Sequence, residues 1–431
     1  MDAGPVIASC AIFLLTYGLI FSERVHRTIA AMAGAVAMIS AGIGLGFYDW
    51  ETAVAAIDFN TIGLLLGMMI IVGILQKTGF FQYAAIVVAQ WTRGNPWWLL
   101  LSLAGFTAVV STILDNVTTI VMVAPVTMSI AEVVGVSAVP FLIAEAVCSN
   151  VGGVATLVGD PPNILIGSAA NLSFNDFLSH LGPVVLVVLF LTFLLLKFLF
   201  RRELAIPPKH VDSLMAMEAR RALLDSGTMR RMLGVIGLTV VLYLVHDMLH
   251  LPPGLVALIG ASAGLLWVRP KVEEVLAGIH WDVLLFFMGL FIVVGGLEAA
   301  GVLRWVSTHL GFLAKTGLIL ATLAILWVSA LMSAVVDNIP FTIAMLPVIK
   351  GLSAQGVVTG PLWWALALGV GFGGNASPIG ATANVVAISV SERTEEPITV
   401  RQWLRSGTWL AALGCGVASL ALAVGVSFGW L

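Results

Sequence analysis

The chain has 431 residues, is 60% hydrophobic and 10% charged, and carries a formal net charge of −3 with a mean hydropathy of +1.06. A soluble domain is about 25% charged, so these values exclude a soluble globular protein and point to a polytopic helical membrane protein. Its three cysteines, Cys10, Cys148 and Cys415, stand far apart in apolar sequence, which excludes a disulfide framework or a metal-thiolate spacing.

A membrane-spanning helix needs about 20 apolar residues. Taken in order, spans are expected near 4–21, 28–48, 61–76, 180–200, 232–250, 253–269, 282–298 and 403–430. The first run lacks a basic leader and a small-residue cleavage site and reads as a membrane helix rather than a signal. Segment 80–92 is short, ends beside Trp91 and Arg93, and suits an interfacial helix. Residues 97–134 form two apolar arms about a break at Asp115-Asn116, and 139–170 form a helix interrupted at Gly152-Gly153 and again from Gly159 to Pro162. Residues 316–350 and 361–391 repeat both features.

Loop 201–231 is the long polar one, with seven basic residues against four acids. The positive-inside rule makes it cytoplasmic. Arg24 and Arg27 place the first short loop on the same side. The crossings then agree if 97–134 and 316–350 are re-entrant hairpins, the first entering from the cytoplasm and the second from outside. Both termini fall outside, as do Arg304 and Lys315.

The chain repeats itself. Ile57, Gly67, Gly73, Leu75 and Gly79 return as Ile279, Gly289, Gly295, Leu297 and Gly301, and Asp115, Asn116 and Pro125 as Asp337, Asn338 and Pro347, all at an offset of 222. Pro140, Gly153, Gly159 and Asn163 return as Pro361, Gly374, Gly380 and Asn384 at 221. The expected fold is therefore all-α, with two inverted repeats, 1–200 and 232–431, flanking the basic loop. Each repeat has one hairpin and one broken helix, making about ten full spans plus two hairpins. Inverted repeats with paired broken segments mark an alternating-access secondary transporter whose site lies near the midplane.

The chemistry gathers at the breaks. Asp115 and Asp337 are flanked by apolar residues and are expected to carry a proton or bind Na⁺; capping the following helical arm is a compatible structural role. Gly152 and Gly153 let the backbone approach a solute or, alternatively, pack against another helix. Asn116, Asn150, Asn163, Asn338, Asn375 and Asn384, with Thr118, Thr119, Ser149, Thr156, Thr342, Ser377 and Thr382, form a neutral lining able to hydrogen-bond a hydroxylated solute or ligate Na⁺. Asp160 faces Ala381 in the repeat and is either a third coupling acid or the cap of the helix opening near Pro161. Glu132, Glu145 and Glu298 read as interface markers. The histidines fall in or beside loops without ligand spacing. Cys148, two residues before Asn150, is the weak candidate for a soft metal, since a tight site needs several sulfurs together. No nucleotide-binding motif occurs, so neither an enzyme nor a cofactor is expected.

Asp115-Asn116-Val117-Thr118-Thr119, Pro125-Val126-Thr127, Ala144-Glu145 and the run from Asn150 to Gly159-Asp160-Pro161-Pro162-Asn163 resemble the arsenite permease and Na⁺/H⁺ antiporter group of the ion transporter superfamily, with similarity also to the melanosomal P protein. The resemblance covers almost the whole chain. It implies a scaffold domain, a mobile transport domain and, as substrate, trivalent arsenite or antimonite exported as the neutral hydroxide in exchange for protons across a bacterial inner membrane. A Na⁺/H⁺ antiporter is the alternative, and a carboxylate carrier is third. Related dicarboxylate carriers have Ser-Asn-Thr at each hairpin tip; the aspartates here disfavour a dianion, since no Lys or Arg accompanies them in sequence. The partners expected are the lipid bilayer, the solute and H⁺ or Na⁺, with a cytoplasmic ATPase docked on loop 201–231 and a second copy of the chain as further candidates. Nucleic acid is not expected.

Overall fold

The structure is a computed structural model that describes residues 3–22, 24–302, 317–394 and 396–430. Arg304, Lys315 and the first residue of the 316–350 hairpin lie outside the described residues. Helices α1 (Ala3–Ser22), α2 (Arg27–Leu45), α3 (Trp50–Ala55) and α4 (Phe59–Gln76) open the chain. Then come α5 (Phe80–Trp91), the hairpin α6 (Pro96–Ser111) and α7 (Asn116–Val134), the broken helix α8 (Val139–Gly153) and α9 (Pro161–Ala170), α10 (Phe174–His180) and α11 (Gly182–Leu199). The polar loop holds α12 (Val211–Ala216) and α13 (Ala219–Ala222). The second half has α14 (Ser226–Val245), α15 (Pro253–Val268), α16 (Val272–Ala277), α17 (Trp281–Ala299), the hairpin α18 (Leu318–Val335) and α19 (Asn338–Ser353), the broken helix α20 (Gly360–Gly373) and α21 (Thr382–Ser391), and α22 (Val400–Phe428). Among the described residues nine helices are long and apolar enough to cross a membrane, and no strand is present.

The fold is all-α and polytopic, and its two repeats pack reciprocally. In the first half α4 lies against α15 of the second, and α17 of the second lies against α2 of the first. Small residues set these crossings. A Cβ on Gly67 would lie 2.6 Å from the Ala257 backbone, and one on Gly289 2.8 Å from that of Ala31, so both pairs of helices touch backbone to backbone. With α1 and α14, these helices form one body. The hairpins and broken helices form the other: α6 packs on α8, α18 on α20, α7 on α21 and α19 on α9, so the halves interlock at their breaks.

Local chemistry explains where the helices start. Asn95 accepts from the Trp97 and Trp98 amides ahead of Pro96, and Asp58 from those of Asn60 and Thr61. Loop 201–231 is folded onto the membrane helices rather than free: the Gln90 amide donates to the carbonyls of Leu214 and Met217, and the Lys209 N–H to that of Val134. His246 is buried in this fold, accepting from the Phe174 N–H through Nε2 and bonding the Leu251 carbonyl through Nδ1. It thus has a structural task that its place beside a loop did not suggest.

Candidate functional site

Each hairpin ends in an unwound tip seated on the break of its own repeat, and the two seats use matching positions. Thr156 donates to the Thr112 carbonyl and Ser377 to that of Ala334; Ser111 donates to the Ser149 carbonyl and Ser333 to that of Val370, each at 2.8 Å. The Asn163 amide closes the first break by donating to the carbonyls of Gly153, Val154 and Thr156, and Asn384 closes the second through those of Gly374 and Ser377. Breaking a helix strands backbone acceptors at membrane depth, and these side chains satisfy them. The glycines serve the same seat. A Cβ on Gly153 would stand 2.6 Å from the Gly159 carbonyl oxygen, while Gly152 and Gly373 leave no room for one against Ala108 and Ala330. The close approach they permit is of backbone to backbone.

Asn150 joins the halves. Its carbonyl oxygen accepts from Asn116 at 3.0 Å and its amide donates to both Asn375 and Asn384 at 2.9 Å. All four residues are buried. The Asn116 amide also donates to Asp160 Oδ1 at 3.3 Å, and Asn375 is held from behind by Trp403, whose indole donates to its carbonyl at 3.1 Å.

Asp160 is 1% exposed, and among the described residues its Oδ2 has no hydrogen-bond partner. It occupies the position before α9 but makes no capping bond to it, which decides against the capping alternative. Asn338 lies near the carboxyl without reaching hydrogen-bond geometry, and Asp115 and Asp337 are the neighbouring acids. Both tips therefore approach Asp160, which lies in the first break. Asp115 and Asp337, both half-buried, cap their arms: Oδ1 of Asp115 accepts from the Thr118 N–H at 2.9 Å, and Oδ1 of Asp337 from the Ile339 N–H at 3.1 Å. The hydroxyls of Thr119 and Thr342 are spent inside their own helices, on the Asp115 and Asn338 carbonyls.

Two expectations are corrected. Asp337 has a basic partner: Arg27 Nη1 lies 3.2 Å from its Oδ2, to which Thr382 also donates at 2.9 Å. Arg27 and Asp337 are 310 positions apart, so no local reading could pair them. Glu145 is not an interface marker. It is wholly buried in α8, accepting from Thr127, with Oε2 unpartnered. Cys148 is buried in α8 three residues after Glu145, and Cys10 and Cys415 sit in separate helices, α1 and α22. Among the described residues no cluster of His, Cys, Asp or Glu is arranged to hold a metal ion.

With this geometry in place, comparison with known proteins decides the family. A profile described as "Citrate transporter" matches residues 17–371. The chain belongs to the citrate transporter family. Family relatives include the 46 kDa membrane protein of Mycobacterium leprae, 40% identical over 96% of this chain and 98% of that protein, and an uncharacterized transporter of Mycobacterium tuberculosis, 38% identical over 96% and 97%. The human P protein is 32% identical over 99% of this chain, which spans 60% of its length. Among solved structures, the YdaH transporter of Alcanivorax borkumensis superimposes with a TM-score of 0.61 over 99% of both chains at 15% identity, a likeness of fold. This member of the family is thus a multi-pass secondary transporter and a relative of the P protein. The family profile names citrate, where the sequence resemblance pointed to arsenite permeases and Na⁺/H⁺ antiporters.

Proposed function

We propose that the chain is a proton-coupled carrier of small carboxylates in a bacterial inner membrane, working by alternating access. One observation carries the reading: Asp160, buried beside both hairpin tips, keeps an oxygen without a partner among the described residues, and the carboxylate of the second tip, Asp337, pairs with Arg27. Three carboxylates against one guanidinium leave the site short of positive charge. Moving net charge through hydrocarbon is costly, so the transport body crosses only when protons or other cations fill the deficit. A carboxylate substrate adds negative charge and raises the number of cations required, which makes the coupling obligatory. Arg27 removes the objection that no cation accompanies the tips, and the family profile adds citrate as the substrate type. The body built from hairpins and broken helices moves against the scaffold of α1, α2, α4, α14, α15 and α17, to which Arg27 and a 2.9 Å bond from the Tyr17 hydroxyl to the Pro340 carbonyl tie the second tip.

Two other substrates have specific support. The Asn116–Asn150–Asn375–Asn384 amides suit a neutral arsenite or antimonite hydroxide, and the three aspartates suit Na⁺/H⁺ exchange. On loop 201–231 the exposed Arg201, Arg202, Arg220 and Arg221 offer charge to an acidic cytoplasmic partner such as an ATPase. Proteoliposomes under an imposed pH gradient, given labelled citrate, succinate, arsenite or Na⁺, test the choice. Gradient-dependent citrate or succinate flux is the expected result. Flux of arsenite or Na⁺ with neither carboxylate moving overturns it.

A further inference from the structure

The Arg27 guanidinium is held by one corner. Nη1 reaches Asp337 Oδ2 at 3.2 Å and Thr382 Oγ1 at 3.4 Å, while among the described residues Nη2 and Nε meet no acceptor within hydrogen-bond range. The side chains of Arg27 and Asp337 are 29% and 24% exposed, so the pair is only partly covered by protein. A guanidinium is a planar fork of five donors matched to a carboxylate, and its strong form is bidentate. Here most of that fork is unspent. The stem is not loose, since the guanidinium carbon lies 5.4 Å over the Phe286 ring, which orients the group. Asp337 does not depend on Arg27 alone, because Thr382 donates to the same oxygen and Oδ1 keeps the Ile339 N–H. Among the described residues no other Lys or Arg pairs with a carboxylate at either tip or break; the remaining ion pairs involve Lys77, Arg221, Lys271 and His246, away from this centre.

We propose that Arg27 is the anchor for the substrate's carboxylate and that Asp337 occupies it in the empty carrier. An incoming carboxylate takes the fork of Arg27 in bidentate geometry and displaces the single-point contact with Asp337. Asp337 Oδ2, still held by Thr382, is then a carboxylate without its counter-ion, with Asp160 nearby, and it takes up the coupling cation. Substrate binding creates the cation site, and cation loss restores the competitor that ejects the substrate. Arg27 stands on the scaffold helix α2 while Asp337 and Thr382 belong to the moving body, so an anchored substrate lies across the interface between the two. This inference rests on the carboxylate reading above.

The test compares Arg27→Gln, Arg27→Lys and Asp337→Asn. Citrate binding to the purified full-length protein is measured by calorimetry, and citrate-driven proton uptake is measured in proteoliposomes. Arg27→Gln should weaken citrate binding by roughly tenfold or more, the scale of one charge-assisted contact. Arg27→Lys should fall between, since an ammonium keeps the charge without the fork. Asp337→Asn should bind citrate more tightly than the wild type, because the competitor is gone, yet lose proton uptake. A purely structural Arg27–Asp337 tie predicts instead that both variants weaken together and that the swap Arg27→Asp with Asp337→Arg restores both; that pattern overturns the inference. If Arg27→Gln does not fold, Asp337→Asn decides by the same sign. A wild type that binds citrate with Arg27→Gln binding it equally well overturns the anchor alone, whereas a wild type that binds neither citrate nor succinate overturns the carboxylate reading and the anchor with it.

Discussion

Replacing Asn150 by alanine should cost more than any other neutral substitution in the amide cluster. Asn150 is 1% exposed and takes part in three side-chain hydrogen bonds, at 3.0, 2.9 and 2.9 Å. Hydrogen bonds between membrane helices average about 0.6 kcal/mol each, and those in soluble proteins about 1 kcal/mol. The three together are therefore worth roughly 2–3 kcal/mol. The loss is not evenly shared. Asn116 keeps its bond to Asp160, and the Asn384 amide keeps Gly374 and Ser377, but the carbonyl oxygens of Asn375 and Asn384 lose a donor. Because Asn150 belongs to the first half and Asn375 and Asn384 to the second, the damage falls on the contact between repeats. Reversible unfolding in mixed micelles, followed by circular dichroism, gives the free energy. The variants Asn150→Ala, Asn375→Ala and their double complete a cycle. A coupling above about 0.5 kcal/mol is expected between the first two. A double variant whose loss equals the sum of the singles, or an Asn150→Ala variant within about 0.5 kcal/mol of the wild type, would refute the bridging role.

Gly152→Ala and Gly373→Ala should both fail to accumulate as folded protein, since each Cβ meets the backbone of the facing hairpin arm, whereas Gly416→Ala, with nothing within 4 Å, should be neutral; the yield of monodisperse protein after detergent extraction reads all three. Asp160→Asn should preserve folding and the bond geometry from Asn116 but remove response to a pH gradient, and gradient-driven flux at the wild-type rate counts against a coupling role. The triple variant Cys10→Ser, Cys148→Ser, Cys415→Ser should keep most transport of whichever substrate the wild type moves, because the three thiols lie in separate places; loss of flux with normal expression would shift attention to Cys148. At the surface, the hydrogen bond and charge of Lys77, then the charge of Lys271, hold the Glu274 carboxyl below its ordinary value of 4.5. The folded form ionises more readily than the unfolded, so the contribution is present above 4.5 and fades as the pH falls through the folded value. Glu274→Gln should accordingly lower the melting temperature slightly at neutral pH, with the gap to the wild type closing in acid.

Much of this molecule is written in one dimension. Hydrocarbon tolerates neither a stray carboxylate nor an unpaired carbonyl, so Asp115, Asp337 and the Gly-Asp-Pro-Pro-Asn run stand out against apolar sequence, and the return of Asp115 as Asp337 after 222 positions, with Gly159 and Asn163 returning as Gly380 and Asn384 after 221, makes the inverted repeat legible. Chain order also marks the hairpins and broken helices, since Asn95-Pro96, Asp115 and Pro161 are local stop and start signals. The roles within the cluster could not be assigned that way. Asn163 and Asn384 look like lining but spend their amides on broken-helix carbonyls, and Asn150 looks equivalent to them but spans the two halves. Residue type states what a side chain can bond; only the fold states which partner is within 3 Å. Arg27 shows the difference most sharply: its charge could be counted from the sequence and used for topology, but its partner lies 310 residues away. Glu145 is the mirror case, a charge that reads as an interface residue until packing encloses it. Local interactions act over one turn and survive in sequence; pairings between α2 and a hairpin tip arise only when both are folded around the same centre.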